Sequence, residues 1–253
     1  MAIKLSVVVP LYNEKARFAD GFAHYYSYLL KQKYSWELIF VNDGSSDNTL
    51  DLIKNAAKEN KSIKIITYAK NHGKGYAIIQ GIKSAKGEYI LFSDIDHSVP
   101  IVSIEPFFPY FEKGYKVVIG SRRVDGSKIL VHQKPIREYL GRGFTLLVNL
   151  AISWGVKDAT CGFKAFENST AQKIFNLVKV YDWAFDAEML YICKKFKIPF
   201  AQAPVSWSDA KGSRVKLKRD IGNSFLGLVK IRINDLAGKY SKWSFWNQDF
   251  YYP

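Results

Sequence analysis

Cysteine is scarce in these 253 residues: Cys161 and Cys193 stand alone, outside any metal or redox motif. A disulfide framework is thereby excluded, and both are expected as reduced thiols of a cytosolic chain. Long hydrophobic runs are missing too. The longest uncharged stretch, "GFTLLVNLAISWGV" at 143–156, falls short of the roughly 18 to 20 residues that cross a bilayer. It is expected as a core helix or as a helix lying in a membrane interface, and no spanning segment is expected. The N-terminus runs straight into "IKLSVVVP", too short and wrongly flanked for a signal peptide. Glycine loops for phosphate are absent as well. The first apolar run leads into "PLYNE" rather than G-x-G-x-x-G, and "HGKG" is too short for a P-loop. A dinucleotide enzyme and a P-loop NTPase are therefore excluded. There is no internal repeat, low-complexity tract or evident linker.

What is present is globular: 48% hydrophobic and 24% charged residues, in a chain long enough for a sizeable core. The net charge of +14 is unevenly spread, with 15 Lys/Arg against 12 Asp/Glu up to residue 120 and 22 against 11 beyond it. The second half thus calls for an anionic partner, unless its charge merely solubilises. Its basic residues are interleaved with aliphatic and aromatic runs, which favours an anionic membrane surface or a phosphate-bearing substrate over nucleic acid.

Short β-rich runs at 5–10, 36–41, 63–69, 89–93 and 115–121 alternate with helix-like stretches at 15–31, 47–59, 75–85 and about 101–112. Runs apolar on both faces belong to a parallel sheet covered by helices, so the alternation predicts an α/β doubly wound fold. Beyond 121 the pattern predicts helices at 136–154, 169–177, 184–195 and 220–236, with strands at 162–166 and 200–207. Ligands of such sheets gather at the carboxyl ends of the strands. The polar residues there are Asn13 and Glu14, Asn42 and Asp43, Asn71, His72 and Lys74, Asp94 and Asp96, and Arg122.

Within "LFSDIDHSVP" (91–100), Asp94 and Asp96 flank one isoleucine just after an apolar strand. Residues two apart on an extended segment share a side, so their like charges must be solvated or share a cation. The first reading is a solvated turn. The second is a D-x-D site for Mg2+ or Mn2+, in which phosphate oxygens complete the coordination and the ion offsets charge on a leaving diphosphate. Asp43 in "NDGSSD" is either a turn residue or an acceptor for a base or ribose.

Taken in order, "VVVPLYNE" (7–14), "VNDGSSDNT" (41–49), "NHGKGYA" (71–77), "SDID" (93–96) and "IGSRR" (119–123) resemble the nucleotide-sugar half of family 2 glycosyltransferases. "QKPIREYLGRGF" (133–144), "DATCGFKAF" (158–166), the stretch 183–207 and "GSRVK" (212–216) resemble the dolichyl-phosphate β-glucosyltransferases and their polyprenyl-phosphate relatives. The resemblance implies a GT-A (Rossmann-like), mostly parallel sheet with helices on both faces and a basic acceptor and membrane-interface region. It implies that Pro10, Tyr12 and Glu14 line the nucleoside pocket, that Val41 and Asp43 hold the base, and that Lys74 sits near base and ribose. Asp94 and Asp96 would bind metal and diphosphate with Ile95 and Ser98 beside them. Arg122 and Arg214 would steady phosphates, and Arg137 and Arg142 would clamp a lipid phosphate. Asp186 and Glu188 occupy the region of a catalytic carboxylate, or else supply charge at a helix N-terminus. His97 departs from the family pattern, as does Ala159 in "DATCGFKAF", where Thr is common.

One glycosyltransferase domain over 1–236 is expected, with a nucleotide-sugar half (1–122), an acceptor half (123–236) and an aromatic tail (237–253). The expected reaction is an inverting, metal-dependent transfer of a hexose from a UDP-sugar, glucose by resemblance, to a polyprenyl phosphate. It would run at the cytoplasmic membrane face, with the enzyme peripheral there. The alternatives are transfer to a soluble sugar or protein hydroxyl, with Asp186 or Glu188 as base, and a non-catalytic nucleotide-sugar or membrane binder. Nucleic acid is not expected, because rim carboxylates repel a phosphate backbone.

Overall fold

The structure, a computed structural model, describes residues 2–152, 155–182, 184–210 and 217–241. Arg214 and the aromatic tail beyond residue 241 lie outside the described residues.

Seven strands form one sheet in the order β3-β2-β1-β4-β7-β5-β8. They are β1 (Leu5–Leu11), β2 (Trp36–Asp43), β3 (Ile63–Tyr68), β4 (Tyr89–Ser93), β5 (Val117–Ser121), β7 (Phe163–Glu167) and β8 (Phe200–Pro204). Six run parallel, while β7 is antiparallel to both of its neighbours, β4 and β5. A small parallel pair, β6 (Lys128–Val131) with β9 (Ser206–Ser208), stands beside the main sheet. The sequence predicted one strand over 200–207. The chain instead breaks at Val205 and carries its last residues to β6, a strand the sequence pattern did not predict.

Successive side chains of a strand face opposite ways, and the core divides accordingly. Val8, Ile39, Val41, Phe92 and Ile119 pack with α3 (Lys74–Ser84), α6 (Asn168–Leu177) and α7 (Phe185–Lys195) on one face. Val7, Val9, Phe40, Leu91 and Val118 pack with α1 (Lys15–Leu29) and α2 (Thr49–Glu59) on the other, along with the 3-10 segment Ile101–Phe107. A short α4 (Phe108–Glu112) follows that segment. Two further helices, α5 (Pro135–Ala151) and α8 (Leu217–Leu236), touch each other at the edge of this body. Both cysteines are buried and free, and burial pushes the Cys161 thiol up to about 11. No helix among the described residues is long and apolar enough to cross a membrane.

Because β7 runs backwards, its first residues lie at the rim where the parallel strands end. Ser93 pairs with Phe163, which sets Gly162 against Asp94. A Cβ on Gly162 would stand 2.2 Å from Asp94 Oδ2, so the residue has to be glycine for the carboxylate to keep its position.

Candidate active site

The loops after β1 and β2 are stapled together. Asn13, at a positive φ of 55°, accepts from the Ser46 and Asp47 amides at 2.7 and 3.2 Å, and the Glu14 amide donates to the Thr49 hydroxyl at 2.8 Å. Tyr12 stands exposed at this loop. Of the residues expected to hold the base, Val41 is fully buried in the core beneath the rim rather than on its surface. Asp43 is also buried. Its carboxylate accepts from the His72 and Gly73 amides at 2.8 and 2.9 Å and from the Asn71 side chain at 2.9 Å. Its first task here is therefore to hold the 71–73 loop that leads into α3.

That loop delivers Lys74, which the resemblance put near base and ribose. The structure instead sets its Nζ 2.7 Å from Asp94 Oδ1 and 2.9 Å from Oδ2. Burial opposes the ammonium charge, but Asp94, then Asp186 and Asp96, outweigh it and raise the pKa. Asp96 has its own cation, more loosely held: Arg17 Nη1 lies 3.7 Å from Asp96 Oδ2 while the same guanidinium is bidentate to Glu14 at 2.6 and 2.7 Å. Glu14, expected in the nucleoside pocket, is thus tied to the D-x-D segment through Arg17. The like-charge repulsion expected between Asp94 and Asp96 is already relieved, each carboxylate having an internal counter-cation.

One face of α1 holds this segment. Residues spaced three and four apart on a helix lie together, and Arg17, Gly21, His24 and Tyr25 all reach it. The Tyr25 hydroxyl bonds Ser93 Oγ and the Asp94 carbonyl, both at 2.7 Å. A Cβ on Gly21 would meet the Ile95 carbonyl at 2.2 Å. His24 accepts the Ile101 amide at 3.1 Å and stacks on His97 with ring centres 5.0 Å apart. His97 itself has φ 41°, a left-handed backbone that turns the chain after Asp96. Ile95 is buried, and Ser98 faces Asp96 through its amide at 3.1 Å.

Among the described residues no group of three or more His, Cys, Asp or Glu side chains gathers around a possible metal position. Asp94 and Asp96 nevertheless fit a Mg2+ or Mn2+ ion of the kind that takes one or two protein carboxylates and completes its octahedron from phosphates and water. Both side chains are partly exposed at the rim.

The two carboxylates of "FDAE" part company. Asp186 joins the site from below: fully buried Lys164 donates to it at 2.7 Å and to the Cys161 carbonyl at 2.5 Å. Burial raises the Asp186 pKa against the pull of Lys164 and Lys74. Glu188 points elsewhere. It is fully buried and accepts the Lys179 and Val180 amides at 2.9 and 2.7 Å, and the Tyr240 hydroxyl. It anchors the 178–180 loop and the turn that follows α8, so the geometry gives it no part in proton transfer. A Glu188→Gln protein is expected to lose about 1–3 kcal/mol of stability with kcat unchanged. Urea midpoints and turnover measured together test this, and a fall in kcat at an unchanged midpoint would return Glu188 to the chemistry.

A second locus lies beyond β5. Arg122 spends its fork on buried Asp158, with Nε and Nη2 at 2.7 and 2.8 Å from the two oxygens, and donates also to Thr160 at 2.8 Å. Its plane lies 5.2 Å over the ring of Trp207. Burial opposes the charge of Asp158, but Arg122 lowers the carboxyl pKa to about 2. Arg122, Arg123, His132, Arg142 and Trp207 line one small recess. Among the described residues the side chain of Arg123, which the sequence reading passed over, donates only to neutral oxygens, the Thr145 hydroxyl and the Lys157 carbonyl at 3.1 and 3.3 Å. Burial lowers its pKa. It has no ion-pair partner among the described residues. Arg142 stands exposed in the recess with Glu138 at 2.7 Å. Arg137, expected beside it, reaches instead toward Asp209 at 3.4 Å.

The recess opens beside an apolar face. Along α5 only Thr145 and Val148 are buried, while Ile136, Tyr139, Leu146 and Leu150 are exposed at helical spacing. On α8 the exposed set is Phe225, Leu226, Val229, Ile233 and Leu236.

Comparison with known proteins gives the family and the fold. The description "Glycosyl transferase family 2" matches residues 6–175. A dolichyl-phosphate beta-glucosyltransferase of Homo sapiens is 35% identical over 229 residues, 84% of this chain and 69% of that protein. The protein of the same name from Saccharomyces cerevisiae is 33% identical over 94% of this chain and 77% of its own length. Among solved structures, glucosyl-3-phosphoglycerate synthase from Mycobacterium tuberculosis, in complex with Mn2+, UDP and glucosyl-3-phosphoglycerate, superposes with a TM-score of 0.65 at 16% identity. That match covers 90% of this chain and 80% of the other. The same enzyme with Mg2+ and UDP gives 0.64 at 16% identity, over 90% of this chain and 79% of the other. At these identities the superpositions establish a shared fold, the GT-A fold expected from the motifs.

Proposed function

The chain belongs to glycosyl transferase family 2, and from that premise we propose that it moves a hexose, glucose from UDP-glucose, onto a polyprenyl phosphate of the dolichyl type. The observation that carries the reading is the arginine recess. Half-buried Arg123, with no ion-pair partner among the described residues, stands beside Arg122 and Arg142 as a phosphate site, and α5, which lends Glu138 and Arg142 to the recess, carries exposed apolar side chains as well. Guanidinium groups suit phosphate geometry, and the apolar face suits the chain attached to that phosphate. The dolichyl-phosphate names of the relatives support the same acceptor.

The donor nucleoside would rest at the end of β1 and on the stapled loop after it, against Pro10, Tyr12 and Glu14, with its diphosphate toward Asp94, Asp96 and Lys74. An acceptor phosphate oxygen attacks the anomeric carbon while the bond from that carbon to the diphosphate oxygen breaks on the opposite side. The departing nucleoside diphosphate takes the electron pair, and the product is inverted. A divalent ion held by Asp94 and Asp96 would supply positive charge where the leaving diphosphate builds up negative charge. No general base is needed, because a phosphomonoester with a second pKa of about 6 is already largely dianionic at neutral pH. This agrees with Asp186 being held by Lys164. Transfer to a hydroxyl would need a base, and Asp186 is the remaining candidate for that alternative.

The enzyme would lie on the cytoplasmic face of the membrane as a peripheral protein. The apolar face would enter the interface, and the basic second half would meet anionic headgroups.

Radiolabelled UDP-glucose and GDP-mannose, each offered with polyprenyl phosphate in detergent with Mn2+ or with EDTA, test the reading. A lipid-linked, mild-acid-labile product from UDP-glucose that disappears in EDTA is expected. Nucleotide binding without any lipid product would overturn the acceptor assignment and turn attention to soluble hydroxyls.

A further inference from the structure

The two carboxylates expected to recruit a metal are each already in contact with a cation belonging to the protein. Lys74 spans both oxygens of Asp94 at 2.7 and 2.9 Å. Arg17, shared with Glu14, stands 3.7 Å from Asp96. Lys74 is braced from behind. Asp186, the next acid whose charge acts on it, is itself held by Lys164 at 2.7 Å. Gly162 closes the other side, its place for a Cβ lying 3.5 Å from Lys74 Nζ. A divalent ion arriving alone therefore meets carboxylates whose charge is already offset, and it has to displace an ammonium from the tighter of them.

A diphosphate changes this balance. It brings at least two negative charges and several hard oxygens, enough to attract the ion and to give Lys74 a second anion to face. We propose that Lys74 is an internal counter-cation that stands on Asp94 in the free enzyme, so that the divalent ion enters together with the donor's diphosphate, whereupon Lys74 turns from Asp94 to the phosphates. The proposal rests on the metal-dependent reading above. It makes ion and nucleotide bind cooperatively, and linkage requires the same factor in both directions: nucleotide tightens the ion as much as the ion tightens nucleotide.

The test is Mn2+ binding to the whole protein, read from the electron paramagnetic resonance signal of free Mn2+, with and without UDP. Wild-type protein is expected to hold Mn2+ weakly alone and at least about tenfold more tightly with UDP. Lys74→Met is expected to bind Mn2+ alone at least about tenfold more tightly than wild type, and to gain less from UDP than wild type does. Lys74→Arg, which keeps the charge, should behave as wild type. If Lys74→Met does not fold by circular dichroism, Arg17→Gln carries the test from Asp96, with a smaller rise in Mn2+ affinity. Wild-type protein that binds Mn2+ alone as tightly as the charge-removed variants would overturn the proposal while leaving metal dependence intact. Absence of Mn2+ binding in every form, even with UDP, would overturn the metal reading and the proposal with it.

Discussion

An Asp96→Asn enzyme is expected to keep its fold and lose about 10²- to 10³-fold in kcat, the scale of removing one preorganised charge contact from a transition state. Asp96 is the better probe of the pair because its internal contacts are few: the Ser98 amide at 3.1 Å and Arg17 at 3.7 Å. Asparagine can replace the first, and the second is a long, partly exposed pair of little worth to stability. Thermal midpoints should therefore match wild type, and excess Mn2+ should not restore turnover. Rates of sugar transfer at saturating donor and acceptor measure the effect. A kcat within roughly threefold of wild type would remove Asp96 from the chemistry and leave "SDID" a turn.

The largest effect on stability is expected at Asp158. It is fully buried, and both its oxygens are bonded by Arg122, whose amide also donates to it at 3.0 Å. Asp158→Ala strands a mostly buried guanidinium without its partner, a change that costs about 3–5 kcal/mol. A natural domain has only about 5–15 kcal/mol in all, so urea midpoints will show it. A loss below about 1 kcal/mol would mean that Arg122 finds another anion or water. The pH dependence has a definite sign. The folded carboxyl titrates at about 2, below its unfolded value of about 3.9. Its contribution is therefore fully present above that unfolded value and fades as pH falls through the folded one. The gap between wild type and Asp158→Ala should stay constant near neutrality and narrow in acid. Activity should fall with stability, because Arg122 also forms one wall of the recess.

Most of the sheet was legible in the sequence, because buried parallel strands are short apolar runs and those at 5–10, 36–41 and 89–93 stand out. The rim positions of Asp94, Asp96, Lys74 and Arg122 were legible for a related reason, since each follows a strand, but the partner that Lys74 finds there, Asp94, was not. Strand direction was not. Nothing in "FKAFE" marks it as antiparallel, and its place between β4 and β5 depends on partners far away in the chain. Helical side chains were misread where spacing alone decides the outcome. Asp186 and Glu188 are two apart on α7, about 200° around the helix, so one reaches Lys164 and the other the 178–180 loop. Arg137 and Arg142 are five apart on α5, about 140° around, and only Arg142 faces the recess. Arg17 and Arg123 were missed because the contacts that bring them to the site, with Asp96 and Thr145, join distant parts of the sequence, and the near pair of Arg17 with Glu14 is an ordinary i,i+3 helix pair. "ARF" and "SRR" give no hint of them. Val41 illustrates the converse: a residue inside a matching motif that the fold places in the core.

The backward strand β7 also governs how the protein can come together as it is made. When residue 122 has been synthesised, β1 to β4 can already form a parallel sheet, but β5 pairs, among the described residues, only with β7 and β8. A nascent chain must therefore hold β5 without a partner, and the edge of β4 open, until residues 163–167 arrive. Open edges of this kind invite pairing with other chains, and long-range closures of this kind are slow. The donor and acceptor halves proposed from the sequence share this one closing strand. The D-x-D rim takes its final shape only when β7 slots in and brings Gly162 up against Asp94. A half-made enzyme would then be unable to hold its donor before the part that receives the sugar exists.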